Sequence, residues 1–126
     1  MQQEEIESYL SAVRECVRQG NCRIEMNTNR QDNLELFANY VINEEKAYGI
    51  ILELTAMDFS EIRQNEHPGY EHEHLYIFGK DVKLHERYGT EEKDVSLYIK
   101  INKLENCFVI VVSFHEQKYP LSYYFR

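Results

Sequence analysis

From Glu5 to Gln19 the apolar side chains fall at Ile6, Tyr9, Leu10, Val13, Cys16 and Val17. Steps of three and four place them on one stripe, the pattern of an amphipathic helix. Glu4, Glu5 and Glu7 stand in its first turn and Arg14 and Arg18 near its end, the sense that suits the helix dipole. Gly20 follows, the residue that best tolerates the left-handed position after a last helical turn. Cys22 to Asn27 then alternates apolar and polar residues, which predicts a short half-buried strand. The polar run after it predicts a loop ending in a helix N-cap at Asp32 or Asn33. Leu34, Leu36, Phe37, Tyr40, Val41 and Ile42 predict one helical segment, and Glu44 to Leu54 another, weakened by Gly49. The pattern leaves open whether the two join.

Between Asp58 and His74 the chain turns polar and carries Pro68-Gly69, a turn signal, and no regular element is predicted there. Beyond it the period becomes two. Leu75 to Phe78 and Val82 to His85 predict strand, broken or bent near Gly79, and the stretch from Tyr88-Gly89-Thr90 to Asp94 predicts a loop. Val95, Leu97, Ile99 and Ile101 then alternate with Ser96, Tyr98, Lys100 and Asn102, one apolar face and one polar. Asn106 to Phe114 is apolar on both faces, as a central strand is. Tyr119 to Arg126 predicts a last strand at an edge, because Pro120 cannot sit in the middle of a sheet. Helices first and strands afterwards predict an α+β fold, with N-terminal helices packed on one face of an antiparallel sheet and residues 1–126 forming a single domain.

Charge changes what such a sheet can bind. The formal net charge is −8, which argues against a general nucleic-acid binder, since phosphate neutralisation needs clustered cations. The excess is uneven: residues 1–78 carry 15 Asp and Glu against 6 Lys and Arg, and residues 79–126 carry 7 against 8. A local basic patch in the C-terminal part therefore stays compatible with a polyanion. Cys16, Cys22 and Cys107 form no CxxC and cannot all pair, so thiols in a reducing cytoplasm are expected, with Cys107 as packing. No signal-peptide pattern and no apolar run near the ~20 residues of a bilayer span is present, so no membrane partner is expected.

Strand parity supplies the candidate chemistry. With Val95 to Ile101 facing the helices, Tyr98 and Lys100 point the other way. On the next strand Phe108, Ile110, Val112 and Phe114 are the bulkier set, expected on the helix side in the absence of a bulge. Val109, Val111, Ser113 and His115 would then share the face of Tyr98 and Lys100. A Tyr, a Lys and a His on one face can move a proton or neutralise a phosphoryl oxygen; the plainer alternative is an ordinary polar sheet surface. Between Glu66 and His74 lie His67, His72 and His74, and the HxH spacing is one that ligates transition metals, against a solvated loop or phosphate contacts from a loop. His85 and Arg87 share a face by alternation. GxGxxG, P-loop, GxSxG and HExxH motifs are absent.

The first helix, with Tyr9-Leu10-Ser11-Ala12-Val13-Arg14 and Val17-Arg18-Gln19-Gly20, resembles the opening of the motility quorum-sensing regulator toxins. Leu54-Thr55-Ala56-Met57-Asp58-Phe59, Leu97-Tyr98-Ile99-Lys100-Ile101 and Val109-Ile110-Val111-Val112-Ser113-Phe114 fit the same family in order. The resemblance implies a RelE-like fold and an mRNA interferase of a type II toxin–antitoxin system. Such an enzyme cleaves single-stranded RNA, on or off the ribosome, by attack of the 2′-hydroxyl on the adjacent phosphate. It implies no metal and no cofactor. Its partners would be RNA and a cognate antitoxin protein, with no DNA bound by the chain alone.

Tyr98 matches the family's functional Tyr, and His115 stands where the family has a Lys. Lys80 stands where it has a Gln before Asp81-Val82, and its Lys after the Asp-Phe pair is replaced by Ser60-Glu61. On this reading Tyr98, His115 and Lys80 are catalytic: His115 as general acid, Tyr98 as a base or a hydroxyl that orients the phosphate. Lys100, Arg87, His85, His72 and Tyr88 would bind substrate, with Tyr88 free to stack a base. Two departures remain: the chain is acidic where the family is usually basic, and it continues past the family's usual end through Tyr119–Arg126. The rival reading is a non-enzymatic binding module that docks a basic protein on an acidic helical surface. A histidine-loop metalloprotein is a third.

Overall fold

The first helical stripe folds as α1 (Gln3–Arg18), with Ile6, Leu10, Val13, Cys16 and Val17 buried. The structure is a computed structural model and describes residues 1–126. Gly20 ends the helix as expected, at φ +76°. Its N–H donates to the Val17 carbonyl at 3.0 Å and that of Asn21 to the Cys16 carbonyl at 2.9 Å, which together close the last turn. After β1 (Cys22–Ile24) come α2 (Gln31–Asn39) and α3 (Glu44–Leu52), which do not join. Tyr40 is extended, and the Asn43 side chain caps α3 by accepting the Lys46 N–H at 2.9 Å.

The start of α2 differs from the expectation. Arg30 holds the N-cap position, and Asn33 lies inside the helix, buried. Its amide donates to the carbonyls of Glu25 (2.8 Å) and Val112 (3.1 Å), and its carbonyl oxygen accepts the Phe114 N–H at 2.8 Å. A side chain with that many distant partners is not available to cap its own helix.

A short 3₁₀ turn, Ala56–Asp58, leads into β2 (Phe59–Gln64), then β3 (His74–His85), β4 (Glu92–Lys103) and β5 (Val109–Glu116). The strand order is β1-β5-β4-β3-β2. Pairing is antiparallel from β2 through β5, but β1 runs parallel to β5. The sheet is therefore mixed rather than antiparallel throughout. The long connection between β1 and β5 makes the parallel pairing accessible, which a hairpin could not. β3 is one unbroken strand through Gly79.

Leu97, Ile99 and Ile101 of β4 and Phe78 of β3 pack with Ile6, Leu10 and Ile51 into one core between sheet and helices. Each such side chain, fully buried, contributes roughly 1.5–3 kcal/mol. The opposite face of the sheet carries no helix. No helix is long and apolar enough to cross a membrane.

Residues 117–126 form no strand. The segment crosses the helix-free face instead and then rounds the β2 edge. There the Ser60 hydroxyl donates to the Ser122 carbonyl, the Tyr124 N–H to the Phe59 carbonyl and the Arg126 guanidinium to the Met57 carbonyl. Gly79 lies beneath the segment, and a Cβ there would run into the Tyr123 hydroxyl. Glycine is required at this place by close approach, not by a bend in the strand.

Candidate functional site

Clean alternation along β4 puts Tyr98, Lys100 and Asn102 on the helix-free face. β5 reaches the same face through a bulge. Lys100 pairs with Ser113, but Ile101 pairs with Val111, so Val112 is the extra residue. This bulge reverses parity within the strand. Ser113 and His115 share the face of Tyr98 and Lys100, as expected. Val109 and Val111, expected beside them, are in the core, while Ile110 and Val112 line the open side. Phe108 lies against the Arg23 guanidinium, 5.9 Å from its ring centre, and not under the helices.

Tyr98 and His115 are cross-strand partners with stacked rings, centroids 5.2 Å apart and planes within 12°. His115 Nδ1 is 2.8 Å from the Glu116 carbonyl oxygen, which can only accept, so Nδ1 carries the proton. Nε2 is left to take or give one. Lys100 Nζ stands 5.9 Å from the Tyr98 ring centre. Burial, then the positive charges of Arg30 and Arg63, lower the Lys100 pKa. Burial raises that of Tyr98, partly offset by Arg63. Tyr98 is thus a neutral phenol near pH 7, suited to donating a hydrogen bond rather than to acting as a base.

Beside Lys100 the face opens into a groove of about 660 Å³. Its floor includes Asn102, Ile110 and Val112, and its walls carry Arg23, Arg30, His67 and Tyr70. Asn102 is buried there, with its amide donating to Glu73 at 2.9 Å. Toward the other end, Gly79, which pairs with Tyr98, is under the C-terminal segment.

The remaining expected site residues are elsewhere. Lys80 pairs with Leu97, so it points to the helix side, where its ammonium meets Asp58 Oδ2 at 3.3 Å. It is a structural counter-ion and not a companion of Tyr98. Arg87 donates to the Phe37 (3.2 Å) and Tyr40 (3.1 Å) carbonyls, closing the end of α2. His85 is six residues along β3 from Gly79, about 20 Å at ~3.3 Å per residue, and Tyr88 is on the exposed tip beyond it. His72 lines a different cleft, of about 540 Å³, with His74, Tyr9 and Tyr76 on the helix-bearing side. His67 is in the open groove, so the three loop histidines divide between two sites, and no three His, Cys, Asp or Glu side chains converge as metal ligands.

No family model, curated protein or solved structure matches this chain. Sequence reading missed Arg30 and Arg63. The first sits in the polar loop before α2, and the second on a strand whose polar residues hid it, beside Glu61, with which it pairs.

Proposed function

We propose that the chain is a RelE-like endoribonuclease, the toxin of a type II toxin–antitoxin pair, acting on single-stranded RNA. The observation that carries this reading is the stacked Tyr98–His115 pair, with Lys100 beside it on the face that no helix covers. The RNA 2′-oxygen attacks the adjacent phosphorus as its proton passes to a solvent water, and the bond to the 5′-oxygen breaks. The products are a 2′,3′-cyclic phosphate and a 5′-hydroxyl. His115 Nε2 gives a proton to the leaving 5′-oxygen, and its Nδ1–H, held by the Glu116 carbonyl, fixes the ring. The Tyr98 hydroxyl donates to a phosphate oxygen, and the Lys100 ammonium opposes the charge that grows on the phosphorane. Arg30 brings a positive charge to the groove, which Glu25 and Glu73 also line, and unpaired bases meet Tyr70 and His67 there. Lys80 and Arg87 have no part in this scheme, and His85, His72 and Tyr88 are too distant for it. The antitoxin, a basic partner, would dock on the exposed Glu4, Glu5 and Glu15 of α1 and Glu44 and Glu45 of α3.

The test is incubation of the purified protein with single-stranded RNA in EDTA. Fragments ending in a cyclic phosphate are expected, with the rate reduced at least ~100-fold in the Tyr98→Phe/His115→Ala double variant. Unchanged cleavage by that variant overturns the assignment of roles. No cleavage by the parent chain, together with recovery of a basic protein in pull-down and no growth arrest on expression, replaces the enzyme with a binding module.

A further inference from the structure

The second and third cysteines stand near opposite ends of the chain's order, yet one of them closes on the first. Cys16 Sγ in α1 lies 2.8 Å from Cys107 Sγ in the turn between β4 and β5. That is closer than the van der Waals contact of two sulfur atoms, and less than ~1 Å beyond a disulfide bond of about 2.05 Å.

Cys107 is the chain's one non-glycine residue at positive φ, +62°. The turn is closed by the Cys107 N–H to the Leu104 carbonyl (3.2 Å) and the Leu104 N–H to the Phe108 carbonyl (2.8 Å). Glycine or asparagine would hold this conformation with less strain. The residue present instead sets a thiol against Cys16.

The two thiols are also unequal. Cys16 is fully buried in the core and Cys107 is exposed. Burial and the Cys107 contact push the Cys16 thiol up to about 11, so it keeps its proton at neutral pH. An oxidant from solvent therefore meets Cys107 first. Cys22, the third thiol, sits half-buried in β1 outside this pair.

We propose that Cys16 and Cys107 form a reversible oxidation site, closed as an intramolecular disulfide by a peroxide. The Cys107 thiolate attacks one peroxide oxygen, the O–O bond breaks, and the other oxygen leaves as water once protonated. Cys107 is then a sulfenic acid. The Cys16 sulfur attacks the Cys107 sulfur, the S–S bond forms and the S–O bond breaks. The departing hydroxide takes the Cys16 proton and leaves as a second water. Two thiols are oxidised by two electrons and one peroxide is reduced. The link fastens α1 to the turn that carries Leu104, a residue that lines both the open groove and the cleft around Tyr9.

The Cys16–Cys107 link forms whether or not the chain acts on RNA. Folded protein is treated with hydrogen peroxide, then denatured, alkylated and mapped by mass spectrometry. Alkylatable thiols are expected to fall from three to one per chain, the remaining one being Cys22, with a single peptide pair joined through Cys16 and Cys107. Dithiothreitol restores all three. The oxidised form melts at a higher temperature, because the link closes a long loop in the unfolded chain. Cys16 belongs to the core, so the variants are placed at the other two positions. Cys107→Ser abolishes the link and Cys22→Ser keeps it. A link through Cys22, links only between chains, or Cys107 driven to sulfinic acid while Cys16 stays free would each overturn the proposal.

Discussion

Lys80 and Lys100 stand on neighbouring strands and face opposite sides of the same sheet. On the helix side, the Lys80 ammonium meets Asp58, whose other oxygen takes the Arg126 guanidinium at 3.3 Å. The Thr55 N–H donates to the same carboxylate at 2.9 Å. One buried acid thus gathers two cations and a turn. On the open side, Lys100 takes part in none of the ion pairs; its neighbours are an aromatic ring, two guanidinium groups, one of them paired with Glu61, and, acting more weakly, the Glu66 carboxylate. A cation with its countercharge in contact supports the fold, and a partly desolvated one with no carboxylate in contact is open to an anion brought from outside.

The sharpest way to break this contrast is at Asp58. Asp58→Ala strands both cations and removes the capping box before β2, and should lower stability by about 3 kcal/mol, read as a fall in the urea midpoint. An unchanged midpoint would mean that the helix-side cluster is no more than surface charge. Next in size is Gly79→Ala. Its methyl displaces the Tyr123 hydroxyl and also meets the Gln117 amide and a Leu121 methyl at 2.9 Å, and should cost roughly 1–3 kcal/mol, while Tyr123→Ala in the same chain recovers part of it. Additive effects in that double-mutant cycle would show that the C-terminal segment does not rest on β3.

The smallest effect belongs to Lys100→Met, with a gain in stability near pH 7 of less than ~1 kcal/mol, since the group is partly screened by solvent. Its sign with pH is definite. The folded chain holds the Lys100 proton less tightly than the unfolded chain, so the parent's deficit shrinks as pH rises through the lowered pKa toward the ordinary 10.5. Parent and variant melting curves should therefore converge in alkali. Divergence would reverse the environment assigned to Lys100.

How much of this was legible beforehand depends on whether a strand has two unlike faces. β4 alternates cleanly from Val95 to Asn102, and its orientation followed from the sequence, as did the shared face of Tyr98 and His115. β5 does not alternate. In Val109-Ile110-Val111-Val112 every residue suits either side, so no phase is encoded there and the bulge that sets it left no mark. β2 was missed for a related reason: Ser60, Glu61, Arg63 and Gln64 are the residues of a solvated edge, and only Phe59 and Ile62 carry an inward signal. Lys80 looked equivalent to Lys100 until the register assigned it to the other face. The Cys16–Cys107 contact depends on tertiary folding alone, which no local pattern reports.

Asn33 reaches further than its hydrogen bonds to one strand suggest. β1 covers β5 only as far as Val111, and beyond it the outer edge of β5 would present free N–H and C=O groups. The Asn33 side chain occupies the Val112 carbonyl and the Phe114 N–H, a donor and an acceptor in the place of a missing strand. An exposed edge of this apolar composition is a template on which further chains can add, the first step toward fibrils. One amide on a helix thus also serves colloidal stability, holding a sticky border closed against other copies of the protein.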